Sequence, residues 1–198
     1  MAREAGPVVS RALVEQIVRE AVTSRLGDLA GDVPSRLVVQ ASSRHMHLSR
    51  EHLDVLFGAG YELTPERPLY QSQIELAFTD AIGLGFDDVP VRLSGDIAGT
   101  PGAYVMGPKG MVELKEGLIR AAIHVHMNPD EARYYGVEQG DVMQLRVGGD
   151  AGVVFSRVHV RIDPRARLNV HMDTDEANAC ALHLAREMDL FTEKRGKR

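Results

Sequence analysis

The sequence predicts a mainly β protein with short helices, of the α+β class, from two observations. Short runs of β-branched and other apolar residues recur along most of the chain, and glycine-rich turns separate them, as in small barrels or sandwiches. Strands do not alternate with long helices, so a Rossmann-like sheet is not expected. The runs lie at 37–39, 89–93, 142–147 and 153–162, and the turns at 94–99 and 107–110.

Length and composition restrict the class of protein. The chain of 198 residues fits one large or two small domains, and its 44% apolar content can bury a core. A net charge of −5, no Trp and no long run of like charges argue against a nucleic-acid binder. Neither a membrane-spanning apolar stretch nor a secretory signal occurs, so we expect a cytoplasmic protein. A single cysteine, Cys180, excludes an intrachain disulfide framework.

The N-terminal segment predicts an amphipathic helix that stands apart from the main body. Apolar residues recur every three to four positions over 8–26, with Arg and Glu elsewhere on the helix. A segment rich in Gly and Asp follows at 27–35 and is typical of a linker. We therefore expect residues 1–35 to be a docking or encapsulation segment, with a dimerisation or packing helix as the alternative.

A short unit that occurs four times indicates where the chemistry lies. The segments 126–132 and 171–177 are near copies, 47–53 shares their pattern, and 75–81 has Glu in place of the leading His. Each His unit follows a β-type run and leads into a helical one, with a capping residue two positions after the His. The predicted N-caps are Ser49, Asn128 and Asp173, and Glu131 completes a capping box in the 126–132 unit.

Two of the units carry a second histidine, so that His-x-His places both imidazoles on one face of a strand. The intervening Met46 and Val125 are then expected to face the core. One isolated pair is more often a surface or packing feature, but two pairs in related units favour a metal site. Imidazole and carboxylate donors suit Zn²⁺ or a similar ion, and three protein ligands leave a position for substrate. The candidate ligands are His45, His47, Glu75, His124, His126 and His171, whereas His52, His159 and His183 are expected to be ordinary packing or surface residues.

At these residues the chain resembles the PduL-type phosphotransacylases, also called phosphate propanoyltransferases. The resemblance covers about 36–181 and implies two small β-barrel domains related by pseudo-twofold symmetry, with a dimetal site between them. One barrel would comprise 36–88 and 163–190, and the other 89–162. The matching motifs lie at 43–49, 73–75, 94–99, 107–110, 124–127 and 171–178.

The resemblance also implies how the ligands divide between two zinc ions. One ion, to which the coenzyme A sulfur also binds, would be held by Glu75, His124 and His126, and the other by His45, His47 and His171. The coenzyme A contacts would come from Ala41, Ser42, Ser43 and Asn178.

The activity that the resemblance implies is a phosphate acyltransferase that interconverts acyl-CoA plus phosphate with acyl phosphate plus CoA, for propanoyl or another short acyl group. A metal-bound thiol is deprotonated, so no protein nucleophile is required, and Cys180 is not expected to act as one. Two alternatives stay open: a zinc-dependent hydrolase, and a non-catalytic microcompartment scaffold component.

The family often serves bacterial microcompartments. The resemblance therefore implies a place in the microcompartment lumen, with shell proteins as partners of residues 8–26. The oligomeric state, homo-oligomer included, the acyl chain length and the metal identity stay open.

One block of the family pattern is missing between Gln71 and Ser72. The family usually has roughly thirty residues there, on the scale of a β-hairpin with its flanks. Among them is an arginine that looks like the family's phosphate contact. Either the deletion is real, or a loop of the protein is absent from this sequence. The phosphate-binding residue is accordingly unknown, and Ile123 also stands where the family commonly has Arg.

Overall fold

The computed structural model describes residues 35–63 and 71–192, so the predicted helix at 8–26 lies outside the described residues. Within these ranges the protein is mainly β with few short helices, which confirms the predicted class. The described residues contain no helix that is long and apolar enough to cross a membrane.

The strands and helices of the described residues are short. The strands are β1 (Val38–Ser42), β2 (His45–His47), β3 (Gln73–Glu75), β4 (Val91–Arg92), β5 (Ala103–Met106), β6 (Met111–Leu114), β7 (Leu118–Ala121), β8 (His124–Met127), β9 (Val142–Gly148), β10 (Val153–Ile162), β11 (Asn169–Asp173) and β12 (Glu187–Phe191). The helices are α1 (Arg50–Phe57), α2 (Phe78–Gly83), α3 (Pro129–Tyr135) and α4 (Thr174–Ala179), followed by a 3-10 turn at Leu182–Leu184.

A six-stranded mixed sheet in the order β1-β11-β8-β10-β9-β12 forms the larger core. Side chains along each strand point alternately to a buried apolar face and to a second face that carries polar residues. On the apolar face Val125, Val160 and Val170 are at most 1% exposed, and burial contributes roughly 1.5–3 kcal/mol for each such side chain. The opposite face carries the histidines of β8 and β11. This sheet combines strands from both predicted barrels, and the two-barrel arrangement stays a prediction.

A second sheet has the order β2-β3-β7-β4 and a smaller core of its own, with Leu76 and Leu118 buried. Beside it, β5 and β6 form a hairpin whose turn is the predicted tight turn at 107–110. Glycine is required in this turn because α1 lies directly against it. A Cβ on Gly107 would lie 2.4 Å from the carbonyl oxygen of Leu56, and one on Gly110 would lie 2.6 Å from that of Val55.

The predicted strand-to-helix junctions are confirmed. Ser49, Asn128 and Asp173 are the N-caps of α1, α3 and α4, and each side chain accepts a backbone N–H of the first turn. The capping box at Glu131 is present, and α4 has a second one.

The prediction for the residues between paired histidines is half right. Val125 is fully buried, as expected, because β8 lies inside the six-stranded sheet. Met46 is 37% exposed, so its predicted core position is wrong. The reason is that β2 has three residues and lies at the edge of its sheet, where little packs over its second face.

Candidate metal centre

The first ligand group forms where β2 and β3 pair. The antiparallel register sets His45 directly opposite Glu75, and alternation along β2 brings His47 to the same face. The Nε2 atom of His45 lies 3.3 Å from Glu75 Oε2, and that of His47 lies 3.8 Å from Glu75 Oε1. His45, His47 and Glu75 thus offer three donor atoms that all lie within 4.8 Å of one another.

The second ligand group forms where β8 and β11 pair. Here the antiparallel register sets His124 opposite His171, and His126 follows on the same face of β8. The ring centroids are 4.9 Å apart for His124 and His126, 5.3 Å for His124 and His171, and 5.1 Å for His126 and His171. These three imidazoles also offer donor atoms within 4.8 Å of one another.

These groups differ from the predicted division of ligands. Glu75 was expected to join His124 and His126, and His171 to join His45 and His47, whereas in the structure Glu75 lies beside His45 and His47, and His171 lies beside His124 and His126. The reason is strand order: β3 pairs with β2, and β11 pairs with β8, so each single ligand meets the His-x-His pair on its neighbouring strand. How two ions would divide these six residues stays a prediction.

The same backbone contact orients one histidine in each group. His45 Nδ1 lies 2.9 Å from the carbonyl oxygen of Ser43, and His124 Nδ1 lies 2.9 Å from that of Ala122. A carbonyl oxygen only accepts, so in both rings Nδ1 carries the proton and donates. Nε2 is then the nitrogen left for a metal ion, which is the arrangement that metal-binding histidines adopt.

A buried glutamine holds the carboxylate of the first group. Gln73 is 1% exposed, and its Nε2 donates to Glu75 at 2.5 Å and to Ser94 Oγ at 2.7 Å. Its Oε1 accepts the backbone N–H of Gly95 at 2.9 Å. Burial raises the pKa of Glu75, but hydrogen bonds and the nearby His45 and His47 outweigh it, so that this pKa lies below its ordinary value. Glu75 is therefore held in place as a carboxylate.

Two amides hold the imidazole of His171. Its Nε2 lies 2.9 Å from Asn169 Nδ2 on the same strand and 3.0 Å from Gln40 Nε2 on β1. Gln40 is paired directly with His171 in the parallel β1–β11 ladder. The Oδ1 of Asn169 is buried and has no hydrogen-bond partner among the described residues. With the amide turned over, Oδ1 accepts the proton of His171 Nε2, which leaves Nδ1 of the ring for a metal ion.

Both ligand groups line one cavity of 1290 Å³. Of the predicted coenzyme A contacts, Ala41, Ser42 and Ser43 line the same cavity. Asn178 is exposed on α4 and is not among the lining residues, so its role stays a prediction.

The remaining histidines and Cys180 lie outside both groups. The thiol of Cys180 is buried at the end of α4, and burial raises its pKa. His52 Nδ1 lies 2.8 Å from Ser72 Oγ, and neither His159 nor His183 belongs to a three-residue donor group among the described residues.

Sequence reasoning missed the residues that support the ligands. Gln73 and Asn169 each precede a ligand by two positions, so alternation alone places them on the ligand face of their strands. That signal was available. Gln40 and Arg161 belong to neighbouring strands, and only the register of β1 and β10 brings them beside the site.

The chain is similar to a known family over most of its length. A family model described as phosphate propanoyltransferase matches residues 38–72 and 70–183. A phosphate propanoyltransferase of Planctopirus limnophila is 42% identical, over 92% of this chain and 91% of that protein. Proteins of the same name from Listeria monocytogenes and Thermotoga maritima are 38% and 39% identical, over 85% and 74% of this chain and 88% and 85% of their own lengths.

The comparisons also bear on the missing block. The family match is split at residues 70–72, where the sequence analysis places the block. The alignment with the Planctopirus limnophila protein extends over 224 positions, more than the 198 residues of this chain, so it contains positions to which this chain contributes no residue. The comparisons therefore leave the phosphate-binding residue unassigned.

Proposed function

This chain belongs to the phosphate propanoyltransferase family and is therefore an acyltransferase, and from that premise we propose that it exchanges a short acyl group between coenzyme A and phosphate in the cavity that both ligand groups line. The single observation that supports this most is the convergence of six candidate ligands, in two groups of three, on one cavity. Because the matching family and relatives are named as acyltransferases, the scaffold alternative loses its support.

The donors of each group fit a divalent ion. Imidazole nitrogens and a carboxylate oxygen, without thiolate, are ligands of Zn²⁺, and a set of three leaves a coordination position for substrate. When bound there, such ions lower the pKa of a coordinated thiol and polarise acyl or phosphoryl oxygens. The ligands are fixed before an ion binds by contacts with Gln73, Asn169 and the carbonyls of Ser43 and Ala122. This lowers the free-energy cost of ordering the site on metal binding.

The protein's own residues would hold the two substrates against each other. Ala41 and Ser42 end β1 and Ser43 follows it, and all three line the cavity, where backbone and hydroxyl groups are available to coenzyme A. In the proposed reaction the sulfur of coenzyme A forms a bond to the acyl carbon, the phosphate leaves with the electrons of the carbon–oxygen bond, and the proton of the thiol passes to the departing phosphate. The reverse direction uses phosphate as the nucleophile.

No covalent protein intermediate is part of the proposal. Cys180 is buried, its thiol pKa is raised by burial, and it does not line the cavity, so it does not meet the requirements of a nucleophilic cysteine. Direct transfer between the two bound substrates needs only that they occupy adjacent positions.

The test is to mix the purified, zinc-loaded protein with propanoyl phosphate and to measure thioester formation and phosphate release, with and without coenzyme A. The proposal predicts equal amounts of thioester and phosphate, and no phosphate release without coenzyme A. His124→Ala should lose the activity, while a surface variant such as Arg157→Gln should keep it. Phosphate release that does not depend on coenzyme A would instead indicate the zinc hydrolase.

We also propose that residues 8–26 direct the enzyme to the interior of a microcompartment shell. The amphipathic pattern of that segment and the linker after it support the proposal.

A further inference from the structure

Arg161 lies on β10, the strand next to β8 in the six-stranded sheet, on the face that carries the second ligand group. The parallel β8–β10 ladder pairs Arg161 directly with His126, and the antiparallel β8–β11 ladder pairs His126 with Asn169. Residues that are paired directly across a ladder project from the same side of the sheet. Asn169, His126 and Arg161 therefore form one row across three neighbouring strands, on the face that carries the metal ligands.

The backbone around Arg161 is held from both sides. The N–H of Asp163 donates to the carbonyl oxygen of Met127 at 3.1 Å, which continues the ladder with β8. On the other side, the N–H of Ile162 donates to Gln139 Oε1 at 2.7 Å. Arg161 thus projects from a fixed strand, as a residue that positions a ligand should.

Arg161 also lies in the cavity wall. It is half-buried and lines the cavity together with both ligand groups. Among the described residues, the only other arginine that lines this cavity is Arg165, whose side chain is 92% exposed and lies 3.6 Å from Asp163. Of the two, Arg161 is the one set beside a metal ligand.

We propose that Arg161 binds the phosphoryl group of inorganic phosphate and of acyl phosphate, next to His126. The inference rests on the proposed function and assigns a residue to the phosphate site, for which the sequence analysis identifies none. A phosphate group carries up to two negative charges at neutral pH, and a guanidinium offers a fork of N–H donors that matches two of its oxygens. The other phosphate groups in the reaction belong to coenzyme A, so the test must separate the two substrates.

The experiment compares wild type with Arg161→Gln, Arg161→Lys and the matched control Arg157→Gln, which removes an exposed arginine from the same strand. For Arg161→Gln the proposal predicts that KM for phosphate and acyl phosphate rises about 10- to 100-fold, while KM for coenzyme A and the zinc content stay the same. For Arg161→Lys, KM for phosphate should lie between the values for wild type and Arg161→Gln, because lysine keeps the charge but lacks the forked pair of N–H donors. Arg157→Gln should match wild type.

Binding of inorganic phosphate, followed by calorimetry on the zinc-loaded proteins, provides a readout that does not depend on turnover. Weaker phosphate binding in Arg161→Gln supports the inference even if wild type lacks acyltransferase activity, in which case only the proposed function fails. Unchanged phosphate binding overturns the inference. So does a rise in KM for coenzyme A alone, which would assign Arg161 to the phosphates of coenzyme A, or a loss of zinc, which would give Arg161 a structural role.

Discussion

The Nη2 atom of Arg120 lies 3.0 Å from Oε1 of Glu176, and its Nε donates to Asp173. Arg120 belongs to β7 in the four-stranded sheet, which carries the first ligand group, whereas Asp173 ends β11, which carries His171. The ring of Phe78 lies 4.3 Å from the guanidinium carbon. This ion pair therefore connects the two sheets on which the ligand groups stand.

Replacing Arg120 is expected to destabilise the protein. Arg120→Met leaves two carboxylates, on side chains that are 9% and 16% exposed, without their cation, and breaking a buried pair of this kind costs about 3 kcal/mol. For a protein of this size that corresponds to a fall in Tm of roughly 6–12 °C. The control is Arg133→Gln, which breaks an ion pair with Asp130 whose side chains are 71% and 60% exposed. It should change the free energy of unfolding by less than about 0.5 kcal/mol, and equal effects of the two variants would refute the role given to Arg120.

Removing the amide that contacts His171 is expected to weaken one metal site. Asn169→Ala removes the amide beside His171 Nε2, whose oxygen can accept the proton of that nitrogen and leave Nδ1 for the metal, and loss of such a support typically lowers metal affinity about 10- to 100-fold. Competition with a chromogenic zinc chelator would measure this for each of the two ions. One ion should become easier to remove while the other keeps its wild-type affinity. Unchanged or tighter binding of both ions would show that Asn169 does not hold the ligand.

Cys180 is expected to be chemically inert and dispensable. Its thiol is 3% exposed and its pKa is raised by burial, so at neutral pH it stays protonated and inaccessible. Cys180→Ala should keep kcat within about twofold of wild type, because the cavity does not include this residue. Iodoacetamide should label the folded protein slowly and the unfolded protein fast. An inactive variant that retains its fold and its zinc would indicate a covalent acyl-cysteine route.

Removing residues 1–34 is expected to leave the zinc content and kcat unchanged, since every candidate ligand follows residue 44. The cut should stop before Ser35, because its backbone N–H donates to Glu131 Oε1 at 3.1 Å and Glu131 is buried at the start of α3. If residues 8–26 dock on a shell, the truncated enzyme should no longer co-purify with shell proteins. A loss of zinc on truncation would show instead that the N-terminal segment is part of the core.

Local patterns in the sequence were sufficient for the class of the fold, the strand-to-helix junctions and the six candidate ligands. Period-two alternation and capping residues act within a few positions, which is why Ser49, Asn128 and Asp173 could be identified as N-caps without a structure. The partners of Glu75 and His171 could not be identified in this way. They depend on which strands pair, and β3 lies beside β2 although 25 residues separate His47, the last residue of β2, from Gln73, the first residue of β3. The contacts of Arg120 and Arg161 depend on strand order for the same reason.

The most direct test of the account is the zinc content of wild type and of two double variants, measured by mass spectrometry after dialysis against zinc and then against buffer. Wild type should hold two ions per chain. His124→Ala with His171→Ala removes two ligands of one group and should leave one ion, whereas His45→Ala with His171→Ala removes one ligand from each group and should leave none. If the second variant kept one ion and the first kept none, the ligand groups would be divided differently, and a wild type without zinc would contradict the metal centre itself.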